Sequence, residues 1–329
     1  MKAVRFHRTG GPEVLVYEDV VDPTPKEGEV LIRIEAVGVN FADVMRRRGD
    51  EYPEPSPPPF TLGVEVAGTI AAVGKGVTSV DAGSLVFATT GAGGYAQYIC
   101  VPAGAVVPVP SGINAAQATT LVVQGLTAAL VLRKSARLVA GESVLVEAAA
   151  GGVGSFAVQL AKLYGAGKVI AAASTPEKRA IAERLGADES VDYMASGWAD
   201  KVRELTNGRG ADVVLEATGG ETLGQALQAM APFGRMVVYG QSGGRTALVD
   251  PWRLTVPNHT VTGFYLGAFL AFPDLINSTL AEIIGYVMAG KLLLQVGTVL
   301  PLSQAANAHR LLESRKTTGK IVLQPWLDA

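Results

Sequence analysis

Residues 142–178, ESVLVEAAAGGVGSFAVQLAKLYGAGKVIAAASTPEK, constrain the fold more than any other stretch of the chain. Ser143 to Glu147 form a short apolar, β-branched run suited to a buried parallel strand, although a run of this length does not by itself exclude buried helix. Beyond a glycine-rich turn, Val153, Phe156, Ala157, Leu160, Ala161 and Tyr164 recur at helical spacing and give one apolar face. Gly165 and Gly167 end that helix, and Val169 to Ala173 make a second strand. Thr175, Pro176 and Glu177 follow as a cap, a first-turn proline and a first-turn acid. The whole reads as a βαβ unit whose glycine turn would set a dinucleotide's pyrophosphate on a helix N-terminus.

The turn departs slightly from GxGxxG, because its three register positions are Ala149, Gly151 and Gly154. Gly151, with Gly152 and Val153 behind it, lets backbone approach a phosphate, and Gly154 lets the helix pack close to the strand. Glycines in an alanine-rich turn can be tight-turn residues and nothing more; the flanking strand and helix favour the nucleotide reading. The second strand then separates the two nicotinamide cofactors. An NAD site places an Asp or Glu roughly 20 residues on, bonded to the ribose 2′-hydroxyl. Here Ala173 and Ser174 occupy that place, and Lys178 follows in the first turn of the next helix. With no carboxylate to repel a 2′-phosphate and a cation to meet it, the pattern predicts NADPH rather than NADH. An ordinary solvated helix lysine is the plainer alternative for Lys178.

A chain of 329 residues has room for two domains. Residues 1–120 show short period-2 runs broken by glycine and proline (Met1–Phe6, Glu29–Val37, Val64–Val73, Ser84–Ala88), which predicts a compact, mostly antiparallel β domain. Five prolines in DEYPEPSPPPF, 50–60, predict an extended loop. A helix over Leu121–Arg133 leads into a regular strand–helix alternation from Ser143 to Gly240, the pattern of a doubly wound parallel sheet. His259–Phe264 suggests a further edge strand, and the closing GKIVLQP is expected to rejoin the first domain. The expected division is a β-rich domain over 1–123 and 266–329 around a dinucleotide-binding domain over 124–265.

Composition narrows the function classes. A formal net charge of -2 provides no global field for nucleic acid or an anionic membrane. Arg46, Arg47 and Arg48, without a wider basic excess, read as a solvated helix face, so an RNA partner is not expected. His7, His259 and His309 are dispersed and Cys100 is the single cysteine, so neither a disulfide nor a metal site is expected. Cys100 itself reads as a small buried hydrophobe in an apolar strand. The opening MKAVRFHRTG lacks the apolar core of a signal peptide, and LVVQGLTAALVL, 121–132, is too short to span a bilayer. The expectation is a cytoplasmic protein.

Taken in order, GVNFADVMRRRG, LGVEVAGTIAAVG, AAAGGVG, VDY and RKTTGKIVL resemble the medium-chain dehydrogenase/reductase family, within it the zinc-free, zeta-crystallin-like quinone oxidoreductases. The likeness runs nearly end to end. It implies a Rossmann doubly wound parallel sheet inserted in a β-rich, GroES-like substrate domain. Zinc-dependent members of the family have a cysteine where Asn40 stands and a histidine where Val64 stands, and many carry a four-cysteine loop that is absent here.

The resemblance places Asn40 beside the nicotinamide, Asp43 on the same short helix and Tyr52 in the substrate cleft. It places Lys178, Tyr193 and Arg315 on the 2′-phosphate and Gly151, Gly152 and Val153 at the pyrophosphate. Tyr239 with Gly240 would lie near the cofactor after a later strand, and Thr127 would face it. Asn40 and Asp43 are also the residue types that cap a helix. Met45 stands where some relatives have a tyrosine, and the loop before Tyr52 is one residue longer, so substrate size is the property most open to change. The implied activity is hydride transfer from NADPH to a quinone or conjugated enone. A reductase of enoyl thioesters or alkenals is the alternative, with the Arg46–Arg48 run as a contact for coenzyme A. A non-catalytic NADPH-binding protein, crystallin-like or RNA-associated, is the third reading. The family likeness further implies a homodimer, through the edge near Val261–Leu266.

Overall fold

The computed structural model describes residues 1–243 and 248–327, which fall into two compact units: Met1–Val122 with Gln295–Ala329, and Val123–Leu294. The first unit opens with strands β1 (Lys2–Phe6), β2 (Leu15–Asp19), β3 (Glu29–Val39), β4 (Phe60–Thr61), β5 (Glu65–Val73), β6 (Leu85–Thr89), β7 (Tyr98–Pro102) and β8 (Val106–Pro108). The second unit holds β9 (Ser143–Glu147), β10 (Lys168–Ala172), β11 (Glu189–Val191), β12 (Ala211–Glu216), β13 (Met230–Val238) and β14 (Thr260–Gly263). The chain then returns to the first unit as β15 (Val296–Pro301) and β16 (Lys320–Gln324).

In the second unit the six strands lie in the order β11-β10-β9-β12-β13-β14, every pair parallel. The order reverses at β9, where a doubly wound sheet places its ligand crevice. Successive helices cover its faces, and the sheet's side chains are buried accordingly: Leu145, Ile170, Val214 and Met236 form one core with Trp198. Strands buried on both faces read as continuous apolar runs, which is how VLV, VIAA and DVVL read in the sequence.

The first unit is built differently. Its large sheet runs β15-β16-β3-β5-β6-β8, with β7 also paired to β3; a small sheet holds β2-β1-β4. All pairs are antiparallel except β15 with β16. Phe6, Ile32, Ile34, Val66, Ile70 and Leu323 form its core. The terminal strand β16 pairs with β3 through Ile321↔Val39 and Leu323↔Val37, as the closing GKIVLQP suggested.

Three sequence expectations change. The return to the β-rich unit comes at 295 rather than 266. The helix Pro273–Met288 stays with the second unit because it buries Thr279, Leu280 and Ile283 there, and because Arg133 pairs with its Glu282 at 2.7 Å. The apolar stretch around 121–132 belongs to a longer helix, Ala115–Ser135. Its 21 residues are enough to cross a membrane by length and composition, but 83% of its most apolar window is buried within the protein, so it is a core helix. Cys100, in β7, is only partly buried, and burial raises its thiol pKa.

Candidate functional site

The glycine turn lies at the carboxyl end of β9, on the switch point of the sheet. Ala148 takes a left-handed conformation (φ 47°), and its carbonyl accepts the Gly151 N–H at 2.7 Å, closing the turn. The helix Gly152–Leu163 begins at once, its first turn closed by the Ser155 N–H on the Gly151 carbonyl at 2.9 Å. The preceding N–H groups of Gly152, Val153 and Gly154 lie ahead of that bond and carry the positive end of the helix dipole. Gly154 has no room for a side chain, since a Cβ there would overlap the Ala148 carbonyl. The turn therefore meets the requirement of a pyrophosphate: bare backbone, donors and a helix N-terminus.

The next strand ends as the sequence indicates. Ala173 is buried, Ser174 is half-buried, and Thr175 caps the helix Pro176–Arg184 by accepting the Lys178 N–H at 3.3 Å. Arg179 donates to the Ala173 carbonyl at 3.2 Å and pairs with Asp192 at 3.1 Å. It thus ties the end of β10 to the segment after β11 and puts Ser174 and Lys178 at the same end of the sheet as buried Tyr193. Glu177 is the one acid on this turn. Its carboxylate accepts from its own N–H and from the Thr175 hydroxyl, and those bonds hold its pKa below the usual carboxylate value. Thr127 is buried within the long helix, and Tyr239 and Gly240 follow β13, the Tyr239 N–H donating to the Glu216 carbonyl at 3.0 Å. Arg315 lies in the first unit, just past the helix Ala305–Glu313, in a left-handed conformation (φ 55°).

Within the first unit, Asn40 and Asp43 sit at the start of the short helix Phe41–Arg48. The capping reading holds in part: the Asp43 carboxylate accepts the Asn40 N–H at 2.8 Å and the Gly63 N–H at 3.1 Å. The Asn40 amide completes the capping box and also reaches a buried ion pair. Its Nδ2 donates to Glu65 Oε1 at 2.9 Å, and its Oδ1 accepts from Lys320 Nζ at 2.7 Å. Lys320 also forms an ion pair with Glu65, both side chains 0% exposed. Gly38 makes space for this lysine, because a Cβ there would overlap Lys320 Cε. Asn40 thus presents an amide whose oxygen and nitrogen are both engaged by a buried ion pair.

The network continues behind Asp43. The Tyr95 hydroxyl lies 3.5 Å from Asp43 and 3.0 Å from His309 Nε2. Burial pushes Asp43 up to about 6, against the pull of the two N–H donors and Lys320. Burial, together with Arg47 and Arg48, pushes His309 down to about 3, so it is neutral at physiological pH. The arginines are not the solvated face expected from the sequence. Arg46 is buried, donates to the Gly91 carbonyl at 2.8 Å and lies 5.2 Å over each of the Tyr52 and Phe60 rings. Arg47 is fully buried and pairs with Glu313 at 2.7 Å, as Arg48 does. Arg46 and Arg47 are engaged inward, and Arg48 alone of the run keeps part of its side chain exposed. Half-buried Tyr52 packs its ring against Arg46.

Sequence reasoning passed over Glu65, Lys320, Tyr95 and His309 in the first unit and Glu147 and Glu216 in the second. The available signal was a lone charge inside an apolar strand, as in GVEVAG, GKIVLQ, VLVEAA and VVLEAT. Two predictions follow from the buried groups. Lys320→Met leaves Glu65 buried without its cation and should cost roughly 3–5 kcal/mol in a denaturant melt. The double variant Glu65→Gln/Lys320→Met should recover most of that loss. For His309, the folded pKa lies below the unfolded value near 6.5, so its contribution to stability is complete above about pH 6.5 and is lost as pH falls. Relative to His309→Gln, the native protein should lose about 2–3 kcal/mol of unfolding free energy between about pH 6.5 and pH 4.5. A constant difference between the two proteins would contradict the neutral, buried histidine.

Comparison with known proteins agrees with this architecture. Residues 26–111 match the alcohol dehydrogenase GroES-like domain, and residues 152–281 match the zinc-binding dehydrogenase domain. The chain is 37% identical to a quinone oxidoreductase of Pseudomonas aeruginosa over 98% of its own length and 99% of the relative's. It is 35% identical to a 2-haloacrylate reductase of a Burkholderia species, covering 98% of each. Among solved structures, Escherichia coli quinone oxidoreductase complexed with NADPH superposes with a TM-score of 0.92 at 32% identity, covering 99% of this chain and 100% of that one. With the parallel sheet, the glycine turn and the GroES-like sheet all in place, the chain belongs to the medium-chain dehydrogenase/reductase family, in its quinone oxidoreductase branch.

Proposed function

We propose that this protein is an NADPH-dependent quinone oxidoreductase, acting on a quinone or a conjugated enone without zinc. The observation that carries the reading is the paired arrangement on the parallel sheet. A glycine turn stands at the end of β9, and the neighbouring β10 is followed by Ala173–Ser174, with Lys178 on the next turn. The first suits a pyrophosphate; the second suits a ribose 2′-phosphate, with Ala173 and Ser174 where an NAD site carries its ribose-binding carboxylate and with Glu177 bonded to its own N–H and Thr175. When bound, NADPH supplies the hydride, and the protein supplies position and electrostatics. The N–H groups of Gly152, Val153 and Gly154 would hold the pyrophosphate. Ser174, Lys178, Tyr193 and Arg315 would hold the 2′-phosphate end, with Thr127, Tyr239 and Gly240 along the cofactor.

Asn40 would face the nicotinamide or polarise the acceptor carbonyl. Lys320 and Glu65 restrain its amide from both ends, so its orientation does not have to be recovered at each turnover. Holding donor and acceptor in register can supply roughly 7–11 kcal/mol of a barrier. Asp43 supports the same helix start, and Tyr52 is the candidate for lining the acceptor side. The Burkholderia relative's name favours a second reading, reduction of an electron-poor alkene such as an alkenal or enoyl thioester. The NADPH requirement points to the cytoplasm. β14 is the outer strand of its sheet and would pair with a second copy as a homodimer; analytical ultracentrifugation would show a single-chain mass if it does not.

The test is steady-state oxidation of NADPH and NADH against 1,4-benzoquinone, 9,10-phenanthrenequinone, an alkenal and a short enoyl-coenzyme A. Native protein should turn over a quinone with NADPH preferred. Lys178→Ala should raise the KM for NADPH about tenfold, roughly 1–2 kcal/mol, with little change in kcat. Equal use of NADH would remove the argument from Lys178. Turnover of the alkenal or thioester alone would establish the second reading. NADPH binding with no turnover of any acceptor would leave a non-catalytic binding protein.

A further inference from the structure

Glu147 and Glu216 are fully buried acids that hydride transfer does not use. They stand at the carboxyl ends of the adjacent parallel strands β9 and β12, one step beyond the paired residues Val146↔Leu215. Glu147 immediately precedes Ala148, where the glycine turn begins. Glu216 Oε1 accepts the Thr218 N–H at 2.9 Å and the Gly219 N–H, which shapes the loop after β12. Glu147 Oε2 receives a long approach from the Ala217 N–H, at 3.5 Å.

Three buried oxygens at this end of the sheet are left without a partner: Glu147 Oε1, Glu216 Oε2 and Thr218 Oγ1. The two carboxyl groups lie within hydrogen-bonding reach of each other, and the Thr218 hydroxyl lies against Glu147. Among the described residues no ion pair reaches either acid. Two ionised carboxylates so placed would repel each other in apolar surroundings, and the single proton of the Thr218 hydroxyl could serve only one of the two orphan oxygens. One proton between them satisfies both at once: the protonated oxygen donates and the other accepts. Among the described residues, the titratable group that faces the pair besides the two acids is the Tyr239 hydroxyl after β13. Burial and the two acids push that hydroxyl far above its ordinary value, so it stays neutral. Thr218 faces the pair as a neutral hydroxyl.

We propose that Glu147 and Glu216 share a single proton and act as a positioning pair for the cofactor turn, so that loss of this proton weakens NADPH binding. The proposal rests on the reading of the glycine turn as the NADPH site. In the shared-proton form the bond between the acids joins the start of the Ala148–Gly154 turn to the Ala217–Gly219 loop. Loss of the proton breaks that bond and puts a second negative charge behind a turn that receives an anionic pyrophosphate. Burial and the neighbouring Glu216 push Glu147 up to about 8, and burial raises Glu216 as well. The two titrate as one coupled unit. The sign follows. Because the folded pKa exceeds the unfolded one near 4.5, the folded state binds more protons between these values, and stability falls as pH rises through that window.

The test is the Kd for NADPH, measured by nicotinamide fluorescence from about pH 6 to about pH 9.5, for native protein beside Glu147→Gln. The carboxamide keeps a donor toward Glu216 at every pH. Native protein should bind with constant affinity up to about pH 7 and about three- to tenfold more weakly by about pH 9. Glu147→Gln should stay near the native low-pH affinity throughout. Melts without cofactor give a second readout: the native Tm should fall between about pH 5 and pH 8, and the variant should lack that slope. A flat native Kd over this range overturns the proposal whether or not the variant folds, as does an equal slope in both proteins. NADPH that binds at no pH would instead defeat the cofactor reading beneath it, so the two failures are distinguishable.

Discussion

A buried ion pair ties the returning strand of the first unit to the strands laid down before it. Lys320 and Glu65 are 255 residues apart in sequence, and between them the chain leaves the β-rich unit, builds the whole parallel sheet and returns. Where it returns, β16 pairs with β3, and Lys320 at its first position reaches Glu65 on β5. A lysine ammonium with no exposure is tolerable only against a matching carboxylate with its remaining hydrogen bonds satisfied. Asn40 supplies that satisfaction, accepting from the lysine and donating to the glutamate. The pair therefore fixes the register of the returning strand and the orientation of Asn40 together. The proposed catalytic amide is held in place by the same contacts that let the chain termini of this unit meet.

The same economy of buried charge recurs behind Asp43 and beneath the glycine turn. Asp43 receives two backbone N–H donors while Tyr95, neutral His309 and the Arg47–Glu313 pair fill the space behind it. These contacts leave the helix Phe41–Arg48 little freedom to shift, so Asn40 stays at its N-terminus. In the parallel sheet, Glu216 shapes the loop after β12 by accepting two N–H groups, while Glu147 stands directly before the turn. Both units place acids at strand ends where the backbone turns, and there the unpaired N–H groups of loops and helix starts are available as partners.

The parallel-sheet unit was legible because its signals are local. Apolar strand runs, a helical apolar face in FAVQLAKLY, glycines at the turn and a capped proline start all lie within 37 consecutive residues, and the absence of an acid after β10 can be read at one position. The polar network of the other unit was not legible in that way. Its members come from β3, β5, β16 and two helices, at separations of 25 to 280 residues for Asn40 alone. Arg46 and Arg47 were misread for a related reason: a run of three arginines looks solvated until Glu313 and the Gly91 carbonyl are folded onto it. The second boundary moved because an amphipathic helix such as Pro273–Met288 records that it will bury a face, not which unit will receive it.

The sequence by itself determined the βαβ unit, the glycine turn, the cofactor preference it implies, the order of strands and helices and the return of the last strand. Each depends on periodicity or on residue chemistry within a few positions. Only the tertiary structure decided that Asn40 is clamped by Lys320 and Glu65, that the arginines face inward and that two glutamates meet across β9 and β12. Those outcomes depend on which distant charges are desolvated together. The energy of a buried charge is set by its partners in space, and one residue's place in the chain does not name them.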